Sequence, residues 1–196
     1  MPEIGTAHAS PRDASGPPAV RPPFVEVYSD YFEFVWRSLR RLGVRESSLD
    51  DALQEVFLVV HRRLADFEGR SSMRTWLFGI VLRVARSQRR THQRKDAPLS
   101  SSPEDLDSLL SPEHSPDDAA RVVEATRILN RLLDSLDDEK RAIFILAELE
   151  ELPVSEIAEA LGVNVNTVYS RLRAARKEFD LALARHRART DRMEQP

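Results

Sequence analysis

Apolar residues recur at helical spacing along most of the chain, and no segment needs a strand to explain its pattern. The predicted helices cover residues 24–42, 51–67 and about 73–95 in the first half, and open near residues 116, 136 and 153 in the second. The pattern therefore predicts an all-α protein with two small helical domains.

Short polar motifs mark the predicted helix starts. Two segments, 48–51 and 135–138, have the Ser-x-x-Asp pattern of a capping box, in which the serine and the acid satisfy each other's backbone donors. Ser71 or Ser72 is predicted to cap the third helix. Pro116 is predicted at the first position of the next helix, where its missing N–H would have no helical partner in any case.

Residues 96–120 divide the two halves. They hold seven acids, four prolines and six serines but no Lys or Arg, which is typical of a flexible linker. The predicted domains are therefore residues 24–95 and 121–180. The tail 1–23, rich in Pro, Ala, Gly and Ser, is expected to be disordered, and the Arg-rich residues 181–196 are expected to fray.

The segment 153–177 has the pattern of a helix-turn-helix, the motif that places one helix in the DNA major groove. Ile157, Ala158 and Leu161 give its first helix an apolar face, and the small alanine suits a close helix crossing. Gly162 stands where the chain must turn, and glycine tolerates the left-handed backbone that such a turn needs.

The second helix of this motif is predicted to begin after Asn164, whose side-chain oxygen suits an N-cap. Val165, Val168 and Leu172 are expected to face inward. The remaining side chains can reach base edges, and Arg is the best reader of guanine. A helical hairpin with a solvated face is the alternative, but the basic residues that follow favour DNA binding. The predicted DNA contacts are Asn166, Thr167, Ser170, Arg171, Arg173, Arg176 and Lys177.

The third predicted helix ends in a basic run, since no acid occurs between Arg83 and Lys95. Residues three or four apart share one helix face. The run places four arginines in this way: Arg83, Arg86, Arg90 and Arg94. A solvated charged face is the ordinary explanation, but a run without compensating acids favours a neighbouring polyanion.

Composition narrows the class of protein. The net charge of −3 hides segregated basic and acidic segments, which matter more than the sum. Cysteine is absent and the five histidines are scattered, so no disulfide, metal site or cofactor is expected. No phosphate-binding loop or nucleophile motif occurs, so an enzyme is not expected. No apolar run could span a bilayer and no signal peptide is recognisable, so we expect a cytoplasmic protein without membrane insertion.

Residues 24–179 resemble a bacterial RNA polymerase sigma factor of the sigma-70 family, in its extracytoplasmic-function (ECF) group. In the first half the resemblance rests on DDALQEVFLVVHRRLADF, followed by TWLFGI and the basic run. In the second half it rests on LDDEKRAIFILAELEELPVSEIAEALGVNVNTVYSRLRAAR. It implies a transcription initiation factor that binds core RNA polymerase and directs it to promoters.

The resemblance also implies where the polymerase binds. The second helix matches the part of the family that docks on the clamp helices of the largest polymerase subunit, and the family also contacts the polymerase flap. An acid-and-amide face with an aromatic anchor suits a partner helix pair bearing Arg. Burial in the core is the equal alternative for the aromatic residue, Phe57. The implied contacts are Asp51, Gln54, Glu55 and Phe57.

The loop 67–73 and the helix after it match the part of the family that reads and opens the −10 element. A flipped base must be held to offset its lost stacking. The implied contacts are Arg70, Ser71, Ser72, Trp76, Arg83, Arg86, Arg90 and Arg94, although core packing is the favoured alternative for Trp76. Arg83 stands where the family usually has Asn, so the base preference at −10 is open. Pro153 stands where a Ser or Thr cap is common.

The helix from Asn164 to Lys177 matches the −35 reader, and the linker matches a segment whose acids mimic nucleic acid inside polymerase. The resemblance further implies an anti-sigma protein as partner, besides promoter DNA and core polymerase. A stand-alone regulator that binds operators is the main competing class. It would explain the helix-turn-helix but not the helix 51–67 with its basic successor. A nucleic-acid enzyme is a third class, and nothing supplies its metal ligands or acid–base pair.

Overall fold

The computed structural model describes residues 22–95 and 116–193, and it describes no side chains for residues 92–95, 116, 117, 119 and 193. Within these residues the chain is helical, without a strand. The helices are α1 (Phe24–Arg41), α2 (Leu49–Arg63), α3 (Met73–Lys95), α4 (Pro116–Leu133), α5 (Asp138–Phe144), α6 (Val154–Leu161) and α7 (Val165–Met193). The predicted all-α class is confirmed. Residues 1–21 of the predicted disordered tail and residues 96–115 of the predicted linker lie outside the described residues.

Helices α1, α2 and α3 form the N-terminal unit, in which each helix contacts the other two. Each helix buries one apolar stripe, which is how amphipathic helices of this length become stable. Val35 and Leu39 of α1 and Val56 of α2 are fully buried. Leu77 and Val81 of α3 complete this core.

Helices α4 to α7 form the C-terminal unit, in which α7 contacts α4, α5 and α6. Leu133, Ile143 and Ile157 are fully buried at its centre. The rings of Phe144 and Phe179 stack with their centroids 4.6 Å apart, which joins α5 to the middle of α7. This unit therefore holds the helix-turn-helix on a packed support.

Two of the predicted helix caps are wrong. Ser48 precedes α2 without a capping hydrogen bond, because a 3-10 turn (Glu46–Ser48) runs directly into the helix and leaves Ser48 outside the extended conformation of an N-cap. Asp137, not Ser135, caps α5, and its carboxylate accepts the backbone N–H of Lys140 at 2.9 Å. The Ser135 hydroxyl instead donates to the carbonyl of Leu132, in the turn after α4.

The predicted cap of α3 is confirmed, since the Ser72 hydroxyl accepts the backbone N–H of Thr75 at 3.2 Å. Pro116 is the first residue of α4, as predicted, so the last five residues of the predicted linker, 116–120, are helical. The predicted fraying beyond Phe179 is wrong as far as Met193, because α7 continues to that residue. A π-helical turn (Ile145–Leu149) after α5 was not predicted.

None of the helices in the described part of the chain is long and apolar enough to cross a membrane.

Candidate functional site

The helix-turn-helix has the backbone that its sequence predicts. Gly162 ends α6 in the left-handed conformation, with φ of 64°. Asn164 caps α7, because its side-chain oxygen accepts the backbone N–H of Asn166 at 2.8 Å. Val168 and Leu172 are buried, as expected, but Val165 is 40% exposed and its predicted inward position is wrong. Val165 is the first residue of α7, one turn before the buried Val168.

The outward face of α7 carries most of the predicted DNA contacts. Asn166, Ser170, Arg173 and Lys177 are exposed, and Thr167 is half-buried. Two arginines are held by acids of the same unit. Arg171 Nη2 lies 2.7 Å from Glu139 Oε2, and Arg176 Nη2 lies 2.6 Å from Glu148 Oε1.

The loop before α3 ends in a small hydrogen-bonded cluster. The hydroxyls of Ser72 and Thr75 lie 2.7 Å apart, and the Phe67 and Trp76 rings pack with centroids 5.4 Å apart. Trp76 is half-buried, so it lies at the rim of the core with one side exposed. Arg70 is exposed, and its Nε lies 3.0 Å from Oε2 of Glu68 in the same loop.

A cleft of about 250 Å³ opens beside this loop. Ser71, Trp76 and Arg83 line one side, so three of the predicted −10 residues lie together. Glu159 and Ala160 of α6 line the other side. The cleft is therefore shared between the two units, which the sequence did not predict.

The basic run of α3 does not present one continuous face. Arg83 and Arg90 are exposed, whereas Arg86 is half-buried and lines a small cavity near Asp138 and Arg141. Arg89 of the same run donates a hydrogen bond to Asp138 of the C-terminal unit. The side chain of Arg94 lies outside the described part of the structure. Part of the predicted DNA-binding charge is thus directed at the C-terminal unit.

An open apolar groove of about 440 Å³ lies between α1 and α2. Tyr28 and Leu58 are 43% and 50% exposed there, which is unusual for large apolar side chains with no partner. The groove is lined by Phe24, Tyr28, Asp50, Leu53, Gln54, Phe57, Leu58 and His61. Sequence reasoning missed Tyr28, Leu58 and His61. The available signal was Leu58 itself, an apolar residue whose neighbours three and four positions away on α2 are all polar: Gln54, Glu55, His61 and Arg62.

The predicted polymerase contacts lie at or near this groove. Gln54 lines the groove, and Asp51 and Gln54 are exposed. Glu55 is exposed but accepts a hydrogen bond from Gln88 of α3 at 3.2 Å. Phe57 is only 5% exposed, so of the two alternatives for this residue the structure has burial in the core. Its ring packs against Phe24, Tyr28 and Phe32 and forms the floor of the groove.

Two buried charges join the units, and sequence reasoning missed both. The Glu150 side chain is only 2% exposed, and Arg41 donates a hydrogen bond to it at 2.6 Å. Arg141 is also 2% exposed, and it donates to the Arg41 carbonyl and to Asp134. Burial lowers the pKa of both Arg41 and Arg141, and Arg37 lowers that of Arg41 further, while the bound acids oppose the shift.

Comparison with known protein families gives two matches. Residues 27–95 match the family model "Sigma-70 region 2", and residues 126–179 match "Sigma-70, region 4". The first range runs from the first turn of α1 to the end of α3, and the second runs from the second half of α4 to the middle of α7.

Curated relatives agree with these matches. The chain is 31% identical over 157 residues to the RNA polymerase sigma factor NccH of Alcaligenes xylosoxydans xylosoxydans, which covers 75% of this chain and 79% of NccH. It is 29% identical over 178 residues to the ECF RNA polymerase sigma factor SigE of Mycolicibacterium smegmatis, covering 91% of this chain and 68% of SigE. It is 30% identical over 147 residues to the ECF RNA polymerase sigma-E factor of Escherichia coli, covering 70% and 74%.

Two solved structures share the fold. CnrH, solved in complex with the cytosolic domain of CnrY, has a TM-score of 0.60 at 23% identity and covers 82% of this chain and 87% of its own. RpoE of Bartonella quintana, solved with the anti-sigma factor NepR, has a TM-score of 0.61 at 20% identity and covers 81% and 98%.

The chain belongs to the sigma-70 family of RNA polymerase sigma factors, in its extracytoplasmic-function group. It is a transcription initiation factor, the class of protein that directs RNA polymerase to promoters. Sigma factors are not enzymes in general.

Proposed function

We propose that residues 121–180 read the −35 element and residues 24–95 read and open the −10 element, with 96–120 as the segment that joins them. The observation that supports this most directly is the geometry of α6 and α7. A left-handed glycine ends α6 and a side-chain cap starts α7, whose exposed residues include Asn166, Ser170 and Arg173. No acid occurs between Val165 and Lys177, so this part of the helix can enter a major groove without bringing a carboxylate against the phosphates.

The −35 contacts in this proposal differ in what they do. Arg171 and Ser170, near the start of α7, reach base edges. Lys177 and Arg176 lie one to two turns later and bind phosphates, which adds affinity without sequence information. The full set is Asn166, Thr167, Ser170, Arg171, Arg173, Arg176 and Lys177.

The −10 contacts in this proposal centre on the cleft beside the loop. Ser71, Trp76 and Arg83 line a space that can hold an extruded base, and Trp76 offers an aromatic face for stacking. Arg83 places a cation where the resemblance to the family implies an asparagine, so we expect a preference for bases with acceptors there. Arg70, Ser72, Arg86, Arg90 and Arg94 complete the set.

The groove on α1 and α2 is the proposed site for core RNA polymerase. A helix pair of the polymerase would cover Tyr28 and Leu58, while Asp51, Gln54 and Glu55 at the rim would meet its polar side chains. Phe57 contributes by shaping the groove, because it is buried. An anti-sigma protein is a further proposed partner. With polymerase and DNA as partners, we propose that the chain acts in the cytoplasm, and by binding rather than catalysis.

Run-off transcription with purified core polymerase tests this function. We expect discrete start sites that depend on the added chain, and mapping those starts would give the −35 and −10 sequences. Core polymerase without the chain is the control. Transcripts that are independent of the chain, or the absence of any specific start over a genomic template library, would contradict the proposal.

A further inference from the structure

Two large apolar side chains are exposed on the first turns of α7. Val165 is 40% exposed and Tyr169 is 59% exposed. They lie four positions apart in the sequence, so they share one side of the helix. Single exposed apolar residues are common on protein surfaces. Here, however, two of them stand together on the helix that is proposed to enter the major groove.

The pair lies among the predicted −35 contacts. Asn166 and Ser170 each follow one of the two apolar residues, and Arg173 comes one turn after Tyr169 on the same side of α7. All three of these polar residues are exposed. No acid occurs in the first three turns of α7, so the surface around the pair suits a polyanion. The two apolar side chains are therefore part of a surface whose charge complements DNA.

Several polar side chains of this surface already have partners within their own unit. The Ser170 hydroxyl donates a hydrogen bond to the carbonyl of Thr167 at 3.0 Å. Arg171 and Arg176 are each held by an acid of the C-terminal unit. These donors must exchange partners before they bind a base or a phosphate. The apolar pair can pack against a base as it stands, so part of the sequence preference can come from it.

The apolar group that a base presents in the major groove is the C5-methyl of thymine. We propose that Val165 and Tyr169 recognise thymines of the −35 element by packing against these methyl groups. Four helical positions span about 6 Å, which is about two base-pair steps, so the two residues meet different base pairs. The inference rests on the proposed reading of −35 DNA by α7, and it adds the chemical group that two further side chains recognise.

Replacing thymine by deoxyuridine tests the proposal, because this change removes the methyl group and keeps every hydrogen-bonding group of the base. The probes are duplexes of a promoter mapped by run-off transcription, each with one −35 thymine replaced. Holoenzyme assembled from the full chain and core polymerase binds each probe, and the readout is the ratio of its affinities for thymine and deoxyuridine. At two thymines we expect a ratio of about four, the effect of removing one methyl group from an apolar contact.

Three variants assign these ratios to side chains. Tyr169→Ala should lower the ratio to about one at one of the two thymines, and Val165→Ala should do so at the other. Tyr169→Phe keeps the aromatic ring and should keep the ratio. Leu181→Ala is the matched control, because Leu181 is 48% exposed on the same helix and lies twelve positions beyond Tyr169. The control should leave both ratios unchanged, and circular dichroism confirms that each variant keeps its helices.

The outcomes separate this inference from the proposed function. Ratios near one for the unsubstituted chain at every thymine would overturn the inference, as would unchanged ratios in both alanine variants. A changed ratio in only one variant would overturn the role of the other residue. A loss of affinity that is equal for thymine and deoxyuridine would place the apolar contact elsewhere than on the methyl groups. If the unsubstituted holoenzyme showed no sequence preference at −35 at all, the proposed function would fail and the inference with it.

Discussion

At the scale of single residues, two of the three arginines among the proposed −35 contacts on α7 are paired with acids that DNA would replace. Arg171 lies against Glu139 and Arg176 against Glu148, and all four side chains are at least 32% exposed. Exposed pairs of this kind contribute roughly 0–1 kcal/mol. A guanine edge or a phosphate can therefore displace the acid with little loss of stability.

Arg171→Ala is expected to weaken −35 binding by the holoenzyme by about 1–3 kcal/mol and to relax the preference at one base pair. The reason is that Arg171 reads a base edge in the proposed complex with −35 DNA. Promoter selection followed by sequencing measures the change. Lys177→Ala is the comparison variant, since a phosphate contact should weaken all sequences equally and lower the salt slope by about one. An unchanged base preference in Arg171→Ala would show that this helix does not recognise the −35 sequence.

At the scale of helices, sequence motifs predicted the structure correctly where the conformation depends only on the local backbone. Gly162 and Asn164 were predicted because a left-handed turn and an N-cap depend on residues a few positions apart. Ser48 and Ser135 match a capping pattern but lie inside tight turns, so their hydroxyls are not placed to cap. Val165 matched the apolar period, yet its exposure depends on whether another helix covers it.

Asp137→Ala is expected to destabilise the folded chain by about 1 kcal/mol, because the carboxylate caps α5. The backbone N–H of Lys140 holds the pKa of Asp137 below its ordinary value of 3.8. The stabilisation by this cap is therefore fully present at pH values above the ordinary pKa of 3.8, and it is lost as the pH falls through the lower pKa of the folded state. Urea unfolding at pH 7 and pH 3 measures both effects, and Ser135→Ala, the cap that the sequence suggested, should cost less.

Leu58→Asp is expected to abolish binding of core polymerase, because it places a charge in the apolar groove of α2. Leu58 is 50% exposed, so the fold should survive the change. Leu181→Asp is the matched control, since Leu181 on α7 is 48% exposed and lies outside the groove. Size-exclusion chromatography with core polymerase gives the readout. Equal loss of binding in both variants would mean that the groove is not the docking surface.

At the scale of the whole molecule, the contact between the units could not be predicted. Arg41 and Glu150 lie 109 positions apart in the sequence, and neither belongs to a motif that indicates its binding partner. Arg141 sits among the apolar residues of α5, where the sequence suggests an outward charge, but it is the largest fully buried side chain. Which residues form such pairs depends on how the two folded units pack against each other. Local periodicity carries no information about that fit.

The contact between the two units also affects how the free chain binds DNA. Glu156 of α6 and Glu150 contact the N-terminal unit beside the surface that we propose for −10 DNA, so the helix proposed to read the −35 element is the more open of the two proposed DNA-binding surfaces. One small helix-turn-helix contacts few base pairs, and most of its affinity comes from phosphate charge. Binding both promoter elements at once requires the two units to be held at the spacing of those elements. The surface of the polymerase can hold them at that spacing.

The free chain should therefore bind promoter DNA weakly, with little sequence preference and strong salt dependence. Core polymerase should convert this into sequence-specific protection of both elements, with strand opening at −10. DNase and permanganate footprints at two salt concentrations, with and without core polymerase, give the measurement. Leu58→Asp should lose the polymerase-dependent protection but keep the weak binding of the free chain. Tight, sequence-specific protection by the chain alone would contradict this mechanism and favour a stand-alone regulator.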